Sequence, residues 1–166
     1  MDDDEGELPE IEYLTVAAVT LLPHPGDVSG PPCMVRRRRL PERLWRQVRP
    51  RPPSDCCVYH QGDWRELSAA AIRLVAAAKA AGLTNVDAIS EFVREVRSKE
   101  LDARGDHDTL PAVGVDALVS MGLAIQPGGG RPQRYYEGRH RVIAMIDAGV
   151  HRTIVLKSKP NPAWVE

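Results

Sequence analysis

The chain has 166 residues, of which 43% are hydrophobic and 27% charged, a balance that is typical of one globular domain and excludes a disordered chain. Twenty-two lysines and arginines against 23 aspartates and glutamates give a net charge of −1, so overall electrostatics favour neither nucleic acid nor a basic partner. No apolar stretch reaches the roughly 18 residues of a membrane span, and the acidic start lacks the positive charge of a signal peptide. With only three cysteines, an odd number, we expect a cytoplasmic protein with no membrane partner.

The N-terminal segment divides into an acidic tail and a strand. Residues 1–12 contain seven acidic side chains and no basic one, so they repel each other and predict a disordered tail. The next ten residues, Tyr13–Leu22, are apolar and partly β-branched, and they stop at Pro23-His24-Pro25-Gly26. This pattern predicts a strand that ends in a turn.

A proline-rich segment with many arginines follows. Eight of the fourteen prolines fall between Pro23 and Pro53, which excludes a long helix or a central strand there. Eight arginines lie between Arg36 and Arg51, opposed only by Glu42. They suit phosphate binding, because the planar guanidinium can donate to two phosphate oxygens together. A solvated short helix over Glu42–Val48, paired with the acidic tail, explains the same residues more simply.

Two helices are predicted in the middle of the chain. Apolar side chains recur at helical spacing through Trp64–Ala81, and Gly82 ends the run. Thr84 precedes Asp87 by three residues, as in a capping box, and begins a second apolar stripe formed by Val86, Ile89, Val93 and Val96. The stretch Leu101–Leu110 is polar and contains glycine, so we predict a loop there.

The C-terminal third predicts the order helix, strand, strand, helix, strand. A short helix around Leu118 closes at Gly122, and strands follow over Leu123–Gln126 and Gln133–Glu137. A helix then runs from Gly138 to Gly149, with Val142, Ile143 and Ile146 as its buried face, and a last strand covers Thr153–Leu156.

The run Glu137-Gly138-Arg139-His140-Arg141 lies where a strand becomes a helix. Backbone N–H groups and the helix dipole favour an anion at such a helix start. Gly138 lets the backbone approach closely, Arg139 and Arg141 add positive charge, and His140 can donate a hydrogen bond or accept a proton near neutral pH. The five residues alone fit a phosphate site and an ordinary basic helix start equally well.

The stretch Val113–Leu156 resembles the core of the ParB/sulfiredoxin-like superfamily. In that superfamily a helix ending near glycine leads to a Gln-Pro strand, a second strand, a G-x-(H/R)-R helix start, an alanine-containing helix, Ala-Gly and a β-branched strand. The matching residues, in order, are Gly122, Gln126-Pro127, Arg134-Tyr135-Tyr136-Glu137, Gly138-Arg139-His140-Arg141, Ala144, Ala148-Gly149 and Thr153-Ile154-Val155. Thr15-Val16 and Leu21-Leu22-Pro23-His24-Pro25 are similar to the family's first strand and loop, whereas residues 33–110 carry no such resemblance.

The resemblance implies an α/β fold: a small mixed sheet with helices, within one domain over residues 13–166 that carries a helical insertion at about residues 60–105. It also implies nucleotide binding, because family members hold the phosphates of CTP or ATP at the G-x-x-R helix start. Arg139 occupies the position of the sulfiredoxins' reactive cysteine, which argues against sulfinic acid reduction. Chromosome-partition proteins continue from this core into a helix-turn-helix domain, whereas ten residues follow Leu156 here, so we do not expect sequence-specific partition binding. Free-serine kinases of this superfamily have a D-G-x-H-R start, which the present sequence approaches with Glu137 in place of Asp.

Two functions of different classes follow. The first is a CTP- or ATP-binding protein, with Mg²⁺ as an accompanying ion and phosphoryl transfer or nucleotide hydrolysis as its candidate activity. Its cofactor-binding residues are Gln126, Gly138, Arg139, His140 and Arg141; Glu137 and His140 are the candidate catalytic residues, and Asp27 is an alternative to Glu137 for orienting a metal or an acceptor hydroxyl.

The second function is a non-catalytic module that binds DNA or a protein through the basic segment Arg36–Arg51, with Arg36, Arg37, Arg38 and Arg39 on the phosphates. Two other clusters are weaker candidates. Cys56-Cys57-x-x-His60 has the residue types of a zinc site, but adjacent ligands strain a tetrahedron, so we expect no metal there. Asp106-His107-Asp108 could bind a divalent cation, and a polar loop is the simpler interpretation.

Overall fold

A computed structural model describes residues 10–23, 25, 57–104, 114–120, 124–127 and 135–160. These residues form a mixed α/β structure of small antiparallel sheets and several helices. The strands are β1 (Glu10–Ala18), β2 (Gln126–Pro127), β3 (Tyr135–Glu137) and β4 (Arg152–Pro160). The helices are α1 (Trp64–Ala80), α2 (Val86–Arg104), α3 (Asp116–Val119) and α4 (Arg139–Ala148), and a 3-10 turn at Val19–Leu21 follows β1.

The strands form two antiparallel pairs that meet at β4. β1 pairs with β4 along nine residues, with Leu14 opposite Leu156, and β2 pairs with β3. The Leu156 N–H donates to the carbonyl of Ile125 at 2.9 Å, which joins the chain just before β2 to the other edge of β4. Leu14, Ile154 and Leu156 are buried, so the centre of the β1–β4 pair belongs to the core.

The helical pair α1–α2 packs against this sheet. Asp63 caps α1, because its carboxylate accepts hydrogen bonds from two backbone N–H groups of the first turn. The apolar stripe of α1 is buried, and the Ser68 hydroxyl donates to the Thr153 hydroxyl of β4 at 3.3 Å in the interior. The α1 bounds confirm the predicted helix to within one residue.

Helix α4 begins and ends at glycines in the left-handed region, Gly138 with φ +85° and Gly149 with φ +68°. At its end the Val150 N–H donates to the Met145 carbonyl at 2.9 Å, the six-to-one bond of a Schellman motif. This confirms the predicted helix between the two glycines. Its centre is buried on more sides than predicted, because four consecutive residues, Val142–Met145, lie in the core.

Several predicted bounds were wrong, and long-range or charged contacts explain them. β1 begins at Glu10, inside the predicted tail, because β4 extends to Pro160 and pairs with β1 along its whole length. β1 ends at Ala18, four residues before the predicted end at Leu22. α2 continues to Arg104, four residues into the predicted loop Leu101–Leu110, and is supported by the ion pairs Arg94–Glu91, Arg97–Glu100 and Lys99–Glu95.

Asn85, not Thr84, caps α2, since the Asn85 side chain accepts from the N–H groups of Asp87 and Ala88. The predicted strand at Leu123–Gln126 is displaced to Gln126–Pro127, and the final strand is longer than predicted. Other predictions lie outside the described residues: the helix at Glu42–Val48, most of the acidic tail, the Gly122 stop and the Asp106-His107-Asp108 cluster.

Candidate functional site at the start of α4

The candidate site is built where β2 and β3 lead into α4. In the β2–β3 pair, Gln126 lies opposite Glu137, the last residue of β3 and the residue before Gly138. Glu137 is exposed and Gln126 is half-buried. The hydroxyl of the buried Tyr135 donates to the Pro23 carbonyl at 2.5 Å, so the chain that leaves the first strand region also reaches β3. The β2–β3 pair and the chain that follows β1, which are distant in sequence, therefore meet next to the start of α4.

Gly138 is required here for two physical reasons. Its φ of +85° lies in the left-handed region, which residues with a Cβ rarely adopt. A Cβ at this position would also lie 2.7 Å from Cα and 2.9 Å from Cγ1 of Ile125. The glycine therefore seats the start of α4 directly on the chain before β2, whose Ile125 carbonyl is bonded to β4.

Arg141 is the more buried of the two arginines at the site. The side chain is half-buried, and this burial lowers the pKa of its guanidinium, while the negative charge of Glu137 and, less strongly, Tyr59 act to raise that pKa. The guanidinium remains cationic at neutral pH. Arg139, two residues earlier, is exposed. The geometry therefore brings Glu137 and Arg141 together and leaves Arg139 at the surface.

His140 contacts a residue that the sequence analysis missed. The imidazole of His140 stacks on the Tyr59 ring, with centroids 4.7 Å apart and planes 12° from parallel. Tyr59 is itself held in place, because its carbonyl accepts a hydrogen bond from Trp64 Nε1 at 2.6 Å. No sequence pattern connects Tyr59 with His140 across 81 positions, although Tyr59 lies within the Cys56-Cys57-x-x-His60 motif that the sequence displays.

A second cluster joins the same turn to the far end of α4. His60 Nδ1 lies 3.3 Å from Cys57 Sγ, and His60 Nε2 lies 3.1 Å from Asp147 Oδ2. The Arg65 Nε also donates to the Ala148 carbonyl at 2.8 Å, at the end of the helix. The chain from Cys57 to Arg65 therefore contacts α4 at both ends. The spacing of Cys57 and His60 was visible in the sequence, but the contact of His60 with Asp147 was not.

Five of the predicted site residues, Gln126, Glu137, Gly138, His140 and Arg141, lie together around the start of α4. Arg139 is adjacent and exposed, whereas Asp27 and the predicted nucleic-acid-binding residues Arg36–Arg39 lie outside the described residues. In the described part of the chain, no group of three or more His, Cys, Asp or Glu side chains is arranged to hold a metal ion. Within the same residues, no helix is long and apolar enough to cross a membrane.

Comparisons with known proteins add no assignment: no family model, curated protein or solved structure matches the chain. The structure by itself establishes the class of fold, which is the mixed α/β arrangement described above. The candidate function depends on the geometry of the helix start and on the sequence motif that forms it.

Proposed function

We propose that this chain is a nucleotide-binding protein with a ParB/sulfiredoxin-like core, in which the start of α4 holds the phosphate groups of CTP or ATP. The observation that carries the proposal is the glycine start of α4 next to a half-buried arginine. Gly138 offers no side-chain acceptor to the first turn, and Arg141 lies within that turn. Helix dipole and guanidinium thus favour an anion at one place.

The close contact of Gly138 with Ile125 supports a fixed anion site. Phosphate binding by backbone N–H groups depends on a helix start that is already in position, because ordering it on the ligand would cost conformational free energy. The distance of 2.7 Å from a hypothetical Cβ to the Ile125 backbone indicates that this helix start is tightly seated.

Arg141 fits the role of the principal phosphate ligand. Placing a guanidinium where burial lowers its pKa costs free energy, and the nearby Glu137 offsets part of this cost. A guanidinium has five N–H donors, so Arg141 can contact a carboxylate and a phosphate at the same time. A phosphate beside Arg141 would add a second negative charge near the guanidinium and would stabilise its cationic form.

The neighbouring residues then have defined roles in the proposal. Arg139 and His140 add donors at the phosphates, and Gln126 contacts the nucleotide from β2. Glu137 is the candidate residue for orienting Mg²⁺ or an acceptor hydroxyl, and with His140 it is the candidate catalytic pair. Mg²⁺ is commonly held by one or two carboxylates together with substrate phosphates, so one protein carboxylate is sufficient for an ion that arrives with the nucleotide.

Calorimetry of the full chain with CTP and with ATP, each with and without Mg²⁺, tests the proposal. Arg141→Ala removes a charge-assisted, partly buried contact, which is worth about 1.5–3 kcal/mol, or roughly tenfold to a hundredfold in affinity. Arg73→Ala is the matched control, because Arg73 is an exposed arginine on α1. It should leave the affinity unchanged.

A second pair of measurements separates this site from the basic segment. A combined Arg36→Ala, Arg37→Ala variant should retain nucleotide binding. If that variant loses binding while Arg141→Ala binds like the parent, the phosphate site is not at α4 and the proposal fails. If the parent binds neither nucleotide with or without Mg²⁺, nucleotide binding itself is refuted.

A further inference from the structure

We propose that Cys57, His60 and Asp147 form a thiol–imidazole–carboxylate triad in which Cys57 is a nucleophile that reacts with hydroperoxides. The imidazole of His60 lies between the other two groups, 3.3 Å from Cys57 Sγ through Nδ1 and 3.1 Å from Asp147 Oδ2 through Nε2. A nucleophile within hydrogen-bond reach of a base, which a third group orients in turn, is the arrangement that activates weak nucleophiles in proteins. The inference does not depend on the proposed nucleotide site.

The carboxylate determines which nitrogen of His60 carries the proton. An ionised Asp147 can only accept hydrogen bonds, so His60 Nε2 must be the donor of the 3.1 Å bond. In the neutral imidazole Nδ1 is then the acceptor, and Cys57 Sγ is the group that donates to it. His60 is therefore oriented as a general base toward the thiol.

The same geometry argues against a shared metal ion. Cys57 and Asp147 contact opposite nitrogens of one ring, so the imidazole separates them and one ion could not be bound by all three. The arrangement transfers protons and does not chelate.

The triad is held rigidly. The backbone N–H of His60 donates to the backbone carbonyl of Cys57 at 3.0 Å, which closes the turn that carries both residues. The side chains of His60 and Asp147 are only 6% and 7% exposed, so water screens their interaction weakly. Asp147 follows His140 by seven residues, two helical turns, and both contact the same turn, at His60 and Tyr59.

The position of Cys57 favours a small electrophile. Cys57 is half-buried, so a hydroperoxide can reach its sulfur more readily than a bulky acyl group can. This half-buried position fits oxidation of Cys57 to a sulfenic acid.

The step balances with hydrogen peroxide as the oxidant. His60 Nδ1 accepts the thiol proton as Cys57 Sγ attacks one peroxide oxygen, so an S–O bond forms and the O–O bond breaks. Sulfur is oxidised by two electrons, and the leaving hydroxide accepts the proton from the His60 imidazolium and departs as water. A small external thiol then displaces water from the sulfenic acid and forms a mixed disulfide.

The test compares Cys57 oxidation in the native and urea-denatured chain. The reduced full-length protein is treated with hydrogen peroxide and a dimedone-type reagent that traps sulfenic acids, and labelled peptides are quantified by mass spectrometry. An inert half-buried cysteine reacts more slowly in the native chain than in the denatured one. The triad predicts the opposite, about tenfold or more faster in the native chain. A native rate equal to or below the denatured rate would overturn the proposal.

The Asp147→Asn variant tests the role of the carboxylate. An amide can donate to His60 Nε2, which would place the proton on Nδ1 and remove the base from Cys57. The native rate of Cys57 oxidation should then fall by about a hundredfold, while Asp116→Asn, at an exposed aspartate of α3, should not change it. Thermal melting establishes that both variants are folded at the assay temperature. An unchanged rate in folded Asp147→Asn refutes the triad; if this variant is unfolded, the native-to-denatured ratio of the parent decides.

Discussion

Replacing Gly138 by alanine should destabilise the protein through two effects that the structure separates. The first is conformational, because a φ of +85° costs an L-residue with a Cβ about 1–2 kcal/mol. The second is steric. The added methyl carbon would lie 2.7 Å from Ile125 Cα, a backbone atom that cannot rotate away, and overpacking of this kind costs about 1–3 kcal/mol.

The two terms together predict that Gly138→Ala lowers the free energy of unfolding by about 2–5 kcal/mol. Gly82→Ala is the matched control. Gly82 has the same φ of +85°, but a Cβ there would meet nothing within 4 Å. It should cost only about 1–2 kcal/mol. Both substitutions also restrict the unfolded chain, and that contribution cancels when the two variants are compared.

Urea denaturation followed by circular dichroism measures both values, provided that the slope m is the same for the parent and the variants. The difference between the two variants, about 1–3 kcal/mol, isolates the contact between Gly138 and Ile125. If Gly138→Ala costs no more than Gly82→Ala, the start of α4 is not seated on Ile125. The helix start would then not be a fixed anion site.

Three further predictions test other parts of the structure. Asp63→Ala removes the cap of α1 and should lower the free energy of unfolding by about 0.5–2 kcal/mol in the same urea assay. Ile89→Ala creates a cavity at a fully buried position and should cost about 2–5 kcal/mol, whereas Leu21→Ala, at an 84% exposed position, should change stability by less than about 0.5 kcal/mol. The hydrogen bond and the charge of Lys99 lower the pKa of Glu95. The stabilisation of the folded protein by this pair is therefore present at neutral pH and is lost as the pH falls through the pKa of Glu95. Lys99→Gln should raise the pKa of Glu95, as measured by NMR titration.

Local signals in the sequence were sufficient to predict the bounds of α1 and α4. The alanine-rich stripe of α1 and its glycine stop gave its bounds to within one residue, and the two glycines of α4 marked both its ends. Such signals act over three or four residues, so the sequence displays them directly. The charged end of α2 was missed because it is supported by ion pairs on exposed side chains and has no apolar stripe to detect.

Strand bounds depended on partners that the sequence does not reveal. β1 extends to Glu10 because β4 is available along its whole length, more than 130 residues later in the chain. The acidic composition of residues 1–12 predicts a disordered tail only if no strand partner is considered. The register pairs Glu10 with Pro160 and Glu12 with Ser158, so backbone pairing with β4 orders the last part of that segment.

The candidate site was predictable where it is contiguous in sequence and hidden where it is assembled by folding. Glu137–Arg141 stands out as a glycine between charged residues at a strand-to-helix junction. The stacking of Tyr59 on His140 and the bond of His60 to Asp147 join residues 81 and 87 positions apart. Cys57 and His60 were noted from their spacing, but as weak metal ligands, because the carboxylate that gives them another role is on a different element.

The turn Cys57–His60, which precedes α1, connects the helical pair α1–α2 to α4, and the sequence did not predict this connection. The turn contacts both ends of α4, a helix about 15 Å long: Tyr59 stacks on His140, and His60 contacts Asp147. The start of α4 is thus fixed on one side by Ile125 and on another by an aromatic ring that the helical pair holds in position. A helix restrained in this way cannot shift at one end without disturbing the other, because a packed helix moves as a rigid element. The proposed phosphate site and the thiol triad therefore share one support, although each has its own chemistry and each can fail its own test.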